Sequence, residues 1–287
     1  MNRGMIKQLA FLMRLDKPIG IYLVLWPTLW ALWLASAGKP NWTIVCIFIV
    51  GSVVMRSAGC VINDIVDHRF DGFVERTRYR PLVAGSISKK IAWSLFVGLL
   101  ACAFLLVLCL NRFTVLLAWI GLVLAVGYPF LKRVTHLPQL GLGIAFSWGV
   151  PMAFAALTGR VSSAGWFVFF GAFVWPCMYD TLYAMVDRSD DVKIGVKSTA
   201  ILFGKADKTL VGLMQILFLL LLCIVGFIFR LTLPYYLALV VAAGLFVYQQ
   251  WLIKDRVPAN CFKAFLNNHW VGCVIFIGIV LSYVNFG

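Results

Sequence analysis

The chain has 287 residues, 62% of them hydrophobic and 13% charged, with a mean hydropathy of +0.94 and a formal net charge of +14. This composition excludes a soluble globule and describes an integral membrane protein. The basic excess is read as cytoplasmic loops and a phosphate-bearing substrate, with no nucleic-acid partner.

The predicted fold is all-α, a single membrane-embedded domain over residues 1–287 with nine transmembrane helices of roughly 20 residues each. Residues 1–18 are basic and carry no small-residue cleavage site, so the first apolar run, 19–37, is expected to be a retained helix. The leader is too short for an organelle transit peptide, which favours a bacterial cell inner membrane. The second run is 42–62. The third, 91–110, and the fourth, 113–131, are parted only by Asn111-Arg112. Pro129 and Pro138 flank Lys132-Arg133 and predict a turn before the fifth run, 138–157. Runs at 165–186, 209–229, 233–253 and 269–285 complete the nine. Pro27, Pro151 and Pro176 fall within spans, where neighbouring helices can re-satisfy the backbone.

Basic residues set the expected topology. Twenty lie in the leader and in the loops after the second, fourth, sixth and eighth spans, and only Lys39, Arg112, Arg160 and Arg230 lie in the alternate loops. The N-terminus is therefore predicted to be cytoplasmic and the C-terminus external. Arg56 is the one base inside a span. The eight cysteines are scattered, with no C-x-x-C pair, and read as buried, inert thiols. His68, His136 and His269 share no ligand spacing and read as surface or interfacial residues. Trp26, Trp30, Trp33 and Trp42 read as interface belt and packing.

Eight of the eleven acidic residues fall in two short stretches, Asp64, Asp67, Asp71 and Glu75 in the first and Asp180, Asp187, Asp190 and Asp191 in the second. Each contains Asp-x-x-x-Asp and closes an apolar run. A carboxylate at the edge of a hydrocarbon layer is costly unless it meets a cation. Mg²⁺ usually meets one or two carboxylates plus substrate phosphates, so the matched clusters point to a shared site for this cofactor. At about 100° per residue, Arg56, Asn63, Asp64, Asp67 and Asp71 share one arc if the second helix continues. Tyr179, Tyr183, Asp187 and Asp191 share another on the sixth. Val66-Asp67 and Val186-Asp187 stand 120 residues apart, compatible with two four-helix halves or with no repeat at all.

Two oxygen-rich helix ends followed by basic loops suit a diphosphate chelated by Mg²⁺. Arg76, Arg80, Lys193 and Lys197 follow the clusters, and Lys132 and Arg133 come from a third loop. Some of these bases would serve topology alone. Tyr128, Tyr179 and Tyr183 are placed either to meet a substrate or to pack. A lone buried base needs a partner: Arg56 meets either an acceptor carboxylate or an aspartate of its own stripe.

At these residues the chain resembles the UbiA superfamily of membrane prenyltransferases. The carrying segments are Arg14-Leu-Asp-Lys-Pro-Ile-Gly20, Leu25-Trp-Pro-Thr-Leu-Trp-Ala-Leu-Trp33, Gly59-Cys-Val-Ile-Asn-Asp64 and Arg76-Thr-Arg-Tyr-Arg-Pro-Leu82. Tyr128-Pro-Phe-Leu-Lys-Arg133, Tyr179-Asp-Thr-Leu-Tyr-Ala-Met-Val-Asp187, Asp191-Val-Lys-Ile-Gly-Val-Lys-Ser-Thr199 and Cys261-Phe-Lys-Ala-Phe-Leu-Asn-Asn268 extend it over nearly the whole chain. The resemblance implies a nine-helix bundle whose Asp-rich motifs, at the cytoplasmic ends of helices 2 and 6, bind Mg²⁺ and a polyprenyl diphosphate. Asn63, Asp67 and Asp71 match the first motif's metal positions, and Asp187 and Asp191 the second's. Arg76 and Arg80 match a basic segment, while Arg78 fills a variable position in it. Ser189 stands where close relatives often carry another acid.

The implied reaction transfers the polyprenyl group to the ring carbon ortho to the hydroxyl of 4-hydroxybenzoate, in ubiquinone biosynthesis. Diphosphate leaves, the tail lies in a groove between helices, and Asp187 or Asp191 takes a proton. Arg56, Arg76, Arg80, Tyr128, Lys132, Arg133, Asp180, Tyr183 and Lys193 are the expected substrate contacts. Isoprenoid length depends on groove shape and on the diphosphate the cell makes. The residues also leave room for a transporter or channel, or for a scaffold binding isoprenoid lipid. Within the superfamily, enzymes that prenylate haem, chlorophyllide or dihydroxynaphthoate are the alternatives.

Overall fold

A computed structural model describes residues 3–68, 72 and 77–284, and every regular element among them is helical. In chain order these are α1 (Arg3–Leu12), α2 (Ile19–Ala35), α3 (Trp42–Asp67), α4 (Lys89–Leu108), α5 (Arg112–Val134), α6 (Pro138–Ser147) and α7 (Gly149–Thr158). They continue as α8 (Ser163–Ile194), α9 (Thr199–Phe203), α10 (Asp207–Ile228), α11 (Leu233–Leu252) and α12 (Pro258–Ser282), with a 3-10 turn at Gly204–Ala206. Counting α6 with α7 and α9 with α10 as continuous segments, eight helices among the described residues are long and apolar enough to cross a membrane. α2 is apolar but shorter, at 17 residues.

Local chemistry sets several of the boundaries. Asn41 starts α3 by accepting from the Thr43 and Ile44 amides. Ser88, Ser162 and Ser198 cap α4, α8 and α9 in the same way, satisfying amides that have no partner inside the helix. Asn111 breaks the third apolar run from the fourth. Its Oδ1 accepts from the Thr114 amide at 2.9 Å while its Nδ2 donates to the Ala155 carbonyl at 2.7 Å, tying α5 to the end of α7. Gly159 and Gly195, with φ of 71° and 72°, stop α7 and α8 in the left-handed conformation that glycine accepts without a Cβ clash.

Three boundaries differ from the sequence expectation. Pro129 lies inside α5, which runs on to Val134, so the turn falls at residues 135–137. α12 begins at Pro258, eleven residues before the apolar run at 269, because the polar Asn260, Lys263, Asn267 and Asn268 are carried on helix. α3 runs to Asp67, five residues past the end of the apolar run at 62, while Asp71 of the projected arc lies outside the described residues.

The larger core gathers Trp30, Trp175, Met178, Leu182 and Phe218 at the meeting of α2, α8 and α10. A smaller one packs Leu12 of α1 with Ala58 and Val61 of α3, Leu82 and Ile87 of the following loop, and Phe96 of α4. This second core clamps the leader and the loop against the end of α3. Apolar side chains such as Val97, Trp119, Val123, Phe227 and Val240 point outward, as a hydrocarbon environment requires. Cys46, Cys102, Cys109 and Cys223 are among these outward residues, so only Cys60, Cys177 and Cys261 fit the expectation of burial. Trp30 is core, donating to the Gly272 carbonyl at 3.1 Å, while Trp42 is exposed at the start of α3. His269 is interfacial to α2 and accepts from Trp26 Nε1 at 3.2 Å.

Candidate active site

α8 carries a polar face along its final turns. Tyr179, Tyr183, Asp187 and Asp191 recur every four residues and, with Asp180, all line one cavity of about 820 Å³. The stop at Gly195 fixes how far this face extends, since the Gly195 and Val196 amides both donate to the Asp191 carbonyl. Opposite stands α3, which brings Arg56, Cys60, Asn63, Asp64 and Asp67 to the same cavity. α5 adds Tyr128 and Arg133; the leader adds Arg14 and Lys17; the turn before α4 adds Thr77, Tyr79 and Arg80. Residues 195–198 fold back over it and include Lys197, whose Nζ donates to the Val134 carbonyl at 3.2 Å. That return is pinned beside α6 and α8: the Thr199 amide donates to Gln139 Oε1 at 3.2 Å, and Thr199 shares a hydroxyl hydrogen bond with Thr181 at 2.8 Å.

Asp64 differs from the other acids. It is 1% exposed, and Arg14 Nη2 donates to both of its oxygens at 2.9 and 3.0 Å while Arg80 Nη1 lies 2.9 Å from one of them. Two guanidinium groups on one buried carboxylate supply the partners that desolvation demands. The result ties the leader and the 77–82 turn to α3. Arg14 holds its place in a left-handed conformation (φ 58°), with Nη1 capping α1 at the Phe11 carbonyl, 2.8 Å away. Spacing in the chain carried no sign of this cluster, because its cations come from 50 residues upstream and from a loop.

Asp67 is also buried, with Arg133 Nη2 3.7 Å from its carboxylate and donating to the Val66 carbonyl at 2.7 Å. Arg56 donates from Nη1 to Cys60 Sγ at 2.9 Å, and its guanidinium sits 5.5 Å from the Phe146 ring centroid. Tyr128, Tyr179 and Tyr183 surround it. Among the described residues Arg56 makes no salt bridge, so the intrahelical ion pair is not what is seen there. Its Nε and the Tyr179 hydroxyl are buried without a hydrogen-bond partner among those residues. Buried polar atoms of this kind are uncommon and call for an explanation at a functional site.

Of the other expected contacts, Lys193 points away. Its side chain is 73% exposed, pairs with Asp190 at 3.3 Å, and does not line the cavity. Lys132 lies in the last turn of α5. Asp71 and Arg76 lie outside the described residues. Among the residues described, no three His, Cys, Asp or Glu side chains converge closely enough to hold a metal by themselves. The donors that do face the cavity are hard oxygens on two helices, a set that fits Mg²⁺ shared with a substrate's phosphates.

The fold and cavity define a polytopic helical membrane protein with carboxylates and guanidinium groups gathered round one inward chamber. The chain matches the UbiA prenyltransferase family over residues 24–272 and belongs to it. It is 56% identical over 283 residues, 99% of both chains, to a protein of Coxiella burnetii named 4-hydroxybenzoate octaprenyltransferase. A protein of the same name from Aliivibrio fischeri is 55% identical over 282 residues, covering 98% of this chain and 99% of that one. Among solved structures, the apo form of a UbiA homologue from Aeropyrum pernix K1 superposes with a TM-score of 0.81 at 25% identity, over 92% of this chain and 98% of that one. A UbiA homologue from Archaeoglobus fulgidus, bound to GPP and Mg²⁺, shares the fold with a TM-score of 0.70 at 16% identity, over 93% and 99% of the two chains.

Proposed function

We propose that this chain transfers a polyprenyl group from polyprenyl diphosphate to the ring carbon ortho to the hydroxyl of 4-hydroxybenzoate, the reaction its relatives' name describes, within ubiquinone biosynthesis. One observation carries the reading most directly. The acidic ends of α3 and α8 share a polar cavity, and Arg56, Tyr128 and Phe146 line both that cavity and an apolar one of about 450 Å³. A substrate with a doubly charged head and a hydrocarbon tail matches that pair of chambers. Relatives of the same length and name support the choice of acceptor.

Asn63, Asp67, Asp187 and Asp191, with Asp71, would hold Mg²⁺, which when bound offsets the negative charge of the departing diphosphate. Arg133, Lys132, Arg76, Arg80 and Lys197 supply cationic groups for its remaining oxygens. Lys193 lies off the cavity and Lys197 takes its place in this reading. Arg56 receives the acceptor's carboxylate, which orients the phenol ring toward the allylic carbon. As the carbon–oxygen bond to diphosphate breaks, the ring carbon forms the new carbon–carbon bond, and Asp187 or Asp191 takes the ring proton. Tyr183 and Asp180 line the same wall beside the acceptor.

The chain is taken as one domain in a bacterial inner membrane, with α2 as a ninth span. The N-terminus is cytoplasmic, and so are the ends of α3 and α8. The test is turnover by purified protein with Mg²⁺, a polyprenyl diphosphate and a panel of aromatic acceptors, with the product identified by mass. Prenylation of a different acceptor in preference to 4-hydroxybenzoate would refute the assignment.

A further inference from the structure

The apolar cavity leaves the neck at Arg56, Tyr128 and Phe146 and runs between α3, α4 and α5. On the α3 wall lies Gly51, and a Cβ built there would meet no heavy atom within 4 Å. Glycine inside a helix is destabilising relative to alanine, so an interior glycine usually has a packing reason. Gly149 has one, because a Cβ there would collide with Thr28 of the neighbouring helix. Gly51 has none. Of the helical glycines with open space around them, it alone lines either cavity. Its missing side chain keeps the groove wide at that level.

The position along the helix matters as much as the space. Gly51 lies five residues from Arg56 and twelve from Asn63, roughly 7.5 and 18 Å along the axis. A diphosphate head held at Asn63 and Asp67 therefore puts the first tail units at the neck and the later ones past Gly51. Farther along, Phe104 of α4 and Trp119 of α5 line the groove and are also 41% and 54% exposed, their ring centroids 5.6 Å apart. The two rings pack against each other, and the groove reaches the outer surface beside them.

We infer that Gly51 is a specificity-determining position for isoprenoid length: its open space lets a long tail run past α3 toward the end of the groove lined by Phe104 and Trp119. This deepens the prenyl-transfer reading and rests on it.

The test compares kcat/KM for geranyl and octaprenyl diphosphates with 4-hydroxybenzoate in wild type, Gly51→Phe and Gly98→Phe. Gly98 faces outward on α4 and lines neither cavity, so it serves as a matched control. Overfilling the groove should cost the long substrate about ten-fold or more in Gly51→Phe, with geranyl diphosphate little affected. Gly98→Phe should keep the wild-type preference. An unchanged preference in Gly51→Phe, or equal loss with both substrates, overturns the inference. A wild-type protein that prenylates nothing would instead overturn the function on which it rests.

Discussion

The guanidinium of Arg56 lies directly over Gly20, where a Cβ would fall 2.6 Å from Nη2 and 2.8 Å from Cζ. Glycine at the start of α2 thus makes the space in which a buried cation on α3 can sit. Arg56 donates to Cys60 and faces Phe146, with no carboxylate beside it among the described residues. The acceptor's carboxylate completes this arrangement in the proposed reaction. Arg56→Ala should therefore weaken 4-hydroxybenzoate by tens-fold or more, in line with about 2–5 kcal/mol for one side of a buried charged pair. Arg56→Lys should recover only part of it, because an ammonium lacks the planar two-point fork. Gly20→Ala, which pushes the guanidinium aside, should raise the KM for the acceptor before that for the diphosphate. Equal weakening of both substrates would remove Arg56 from the acceptor pocket.

Asp64 belongs to the first acidic cluster by sequence but is occupied by Arg14 and Arg80. Its loss should thus appear first as instability. Asp64→Ala leaves two cations facing a buried site, a change of the kind that costs about 3–5 kcal/mol. Thermal unfolding in detergent should show a clear fall in Tm for Asp64→Ala and a much smaller one for Asp187→Ala. The reverse order would mean that Asp64 acts in chemistry and not as an anchor.

How much of this was legible in the chain depended on whether a helix ran through the motif. On α8 it did, so the spacing of Tyr179, Tyr183, Asp187 and Asp191 translated directly into one cavity wall. On α3 the described helix ends at Asp67, and the same reading reaches only Arg56, Asn63, Asp64 and Asp67, all of which line the cavity. Loop cations were harder. Lys193 and Lys197 both follow the second motif closely, two and six residues after Asp191, yet the left-handed Gly195 reverses the chain between them, leaving one outside and returning the other over the cavity. Contacts such as Gly20 with Arg56, or Arg14 with Asp64, join segments tens of residues apart, and no local periodicity encodes them.

The far end of α8 has its own anchor. Asp207 is fully buried and accepts from Arg188, the neighbour of Asp187, and from Arg256, whose Nε lies 3.0 and 3.1 Å from its two oxygens. Arg256 adopts a left-handed conformation (φ 55°) and also donates to the Lys205 carbonyl at 2.6 Å, so the α11–α12 loop is stapled to the start of α10. Asp207→Ala should lower thermal stability and raise the Mg²⁺ concentration needed for half-maximal turnover, since the turn carrying Asp187 loses its tether. If stability falls with no change in the Mg²⁺ requirement, Asp207 is structural only.

Topology offers a check that needs no substrate. With the basic loops on the cytoplasmic side and α2 crossing the membrane, a reporter fused after Gly287 should be external and one placed between Leu252 and Pro258 cytoplasmic. Both reporters on the same side would mean that α12 does not cross. A cytoplasmic reporter after Gly287 together with an external one after Leu252 would point to the 17-residue α2 as a helix that enters without spanning.

The division of the oxygen donors between two helices makes the sharpest demand on the chemistry. Asn63 and Asp67 come from α3 and Asp187 and Asp191 from α8, and no three carboxylates or imidazoles among the described residues converge on one point. In the proposed reaction a cation held there shares its shell with substrate oxygens, so that neither helix replaces the other. Asp67→Ala and Asp187→Ala should each lower turnover by about 10²-fold or more, the scale seen when a group that stabilises developing charge is removed. Both proteins should still be membrane-inserted and bind detergent micelles as wild type does. EDTA should abolish wild-type activity, and added Mg²⁺ should restore it. Because the diphosphate completes the shell, its apparent affinity should fall as Mg²⁺ is withdrawn, while 4-hydroxybenzoate binding changes little. Isothermal titration of each substrate with and without Mg²⁺ separates the two, and full turnover in metal-free buffer would disprove the shared-cation arrangement outright.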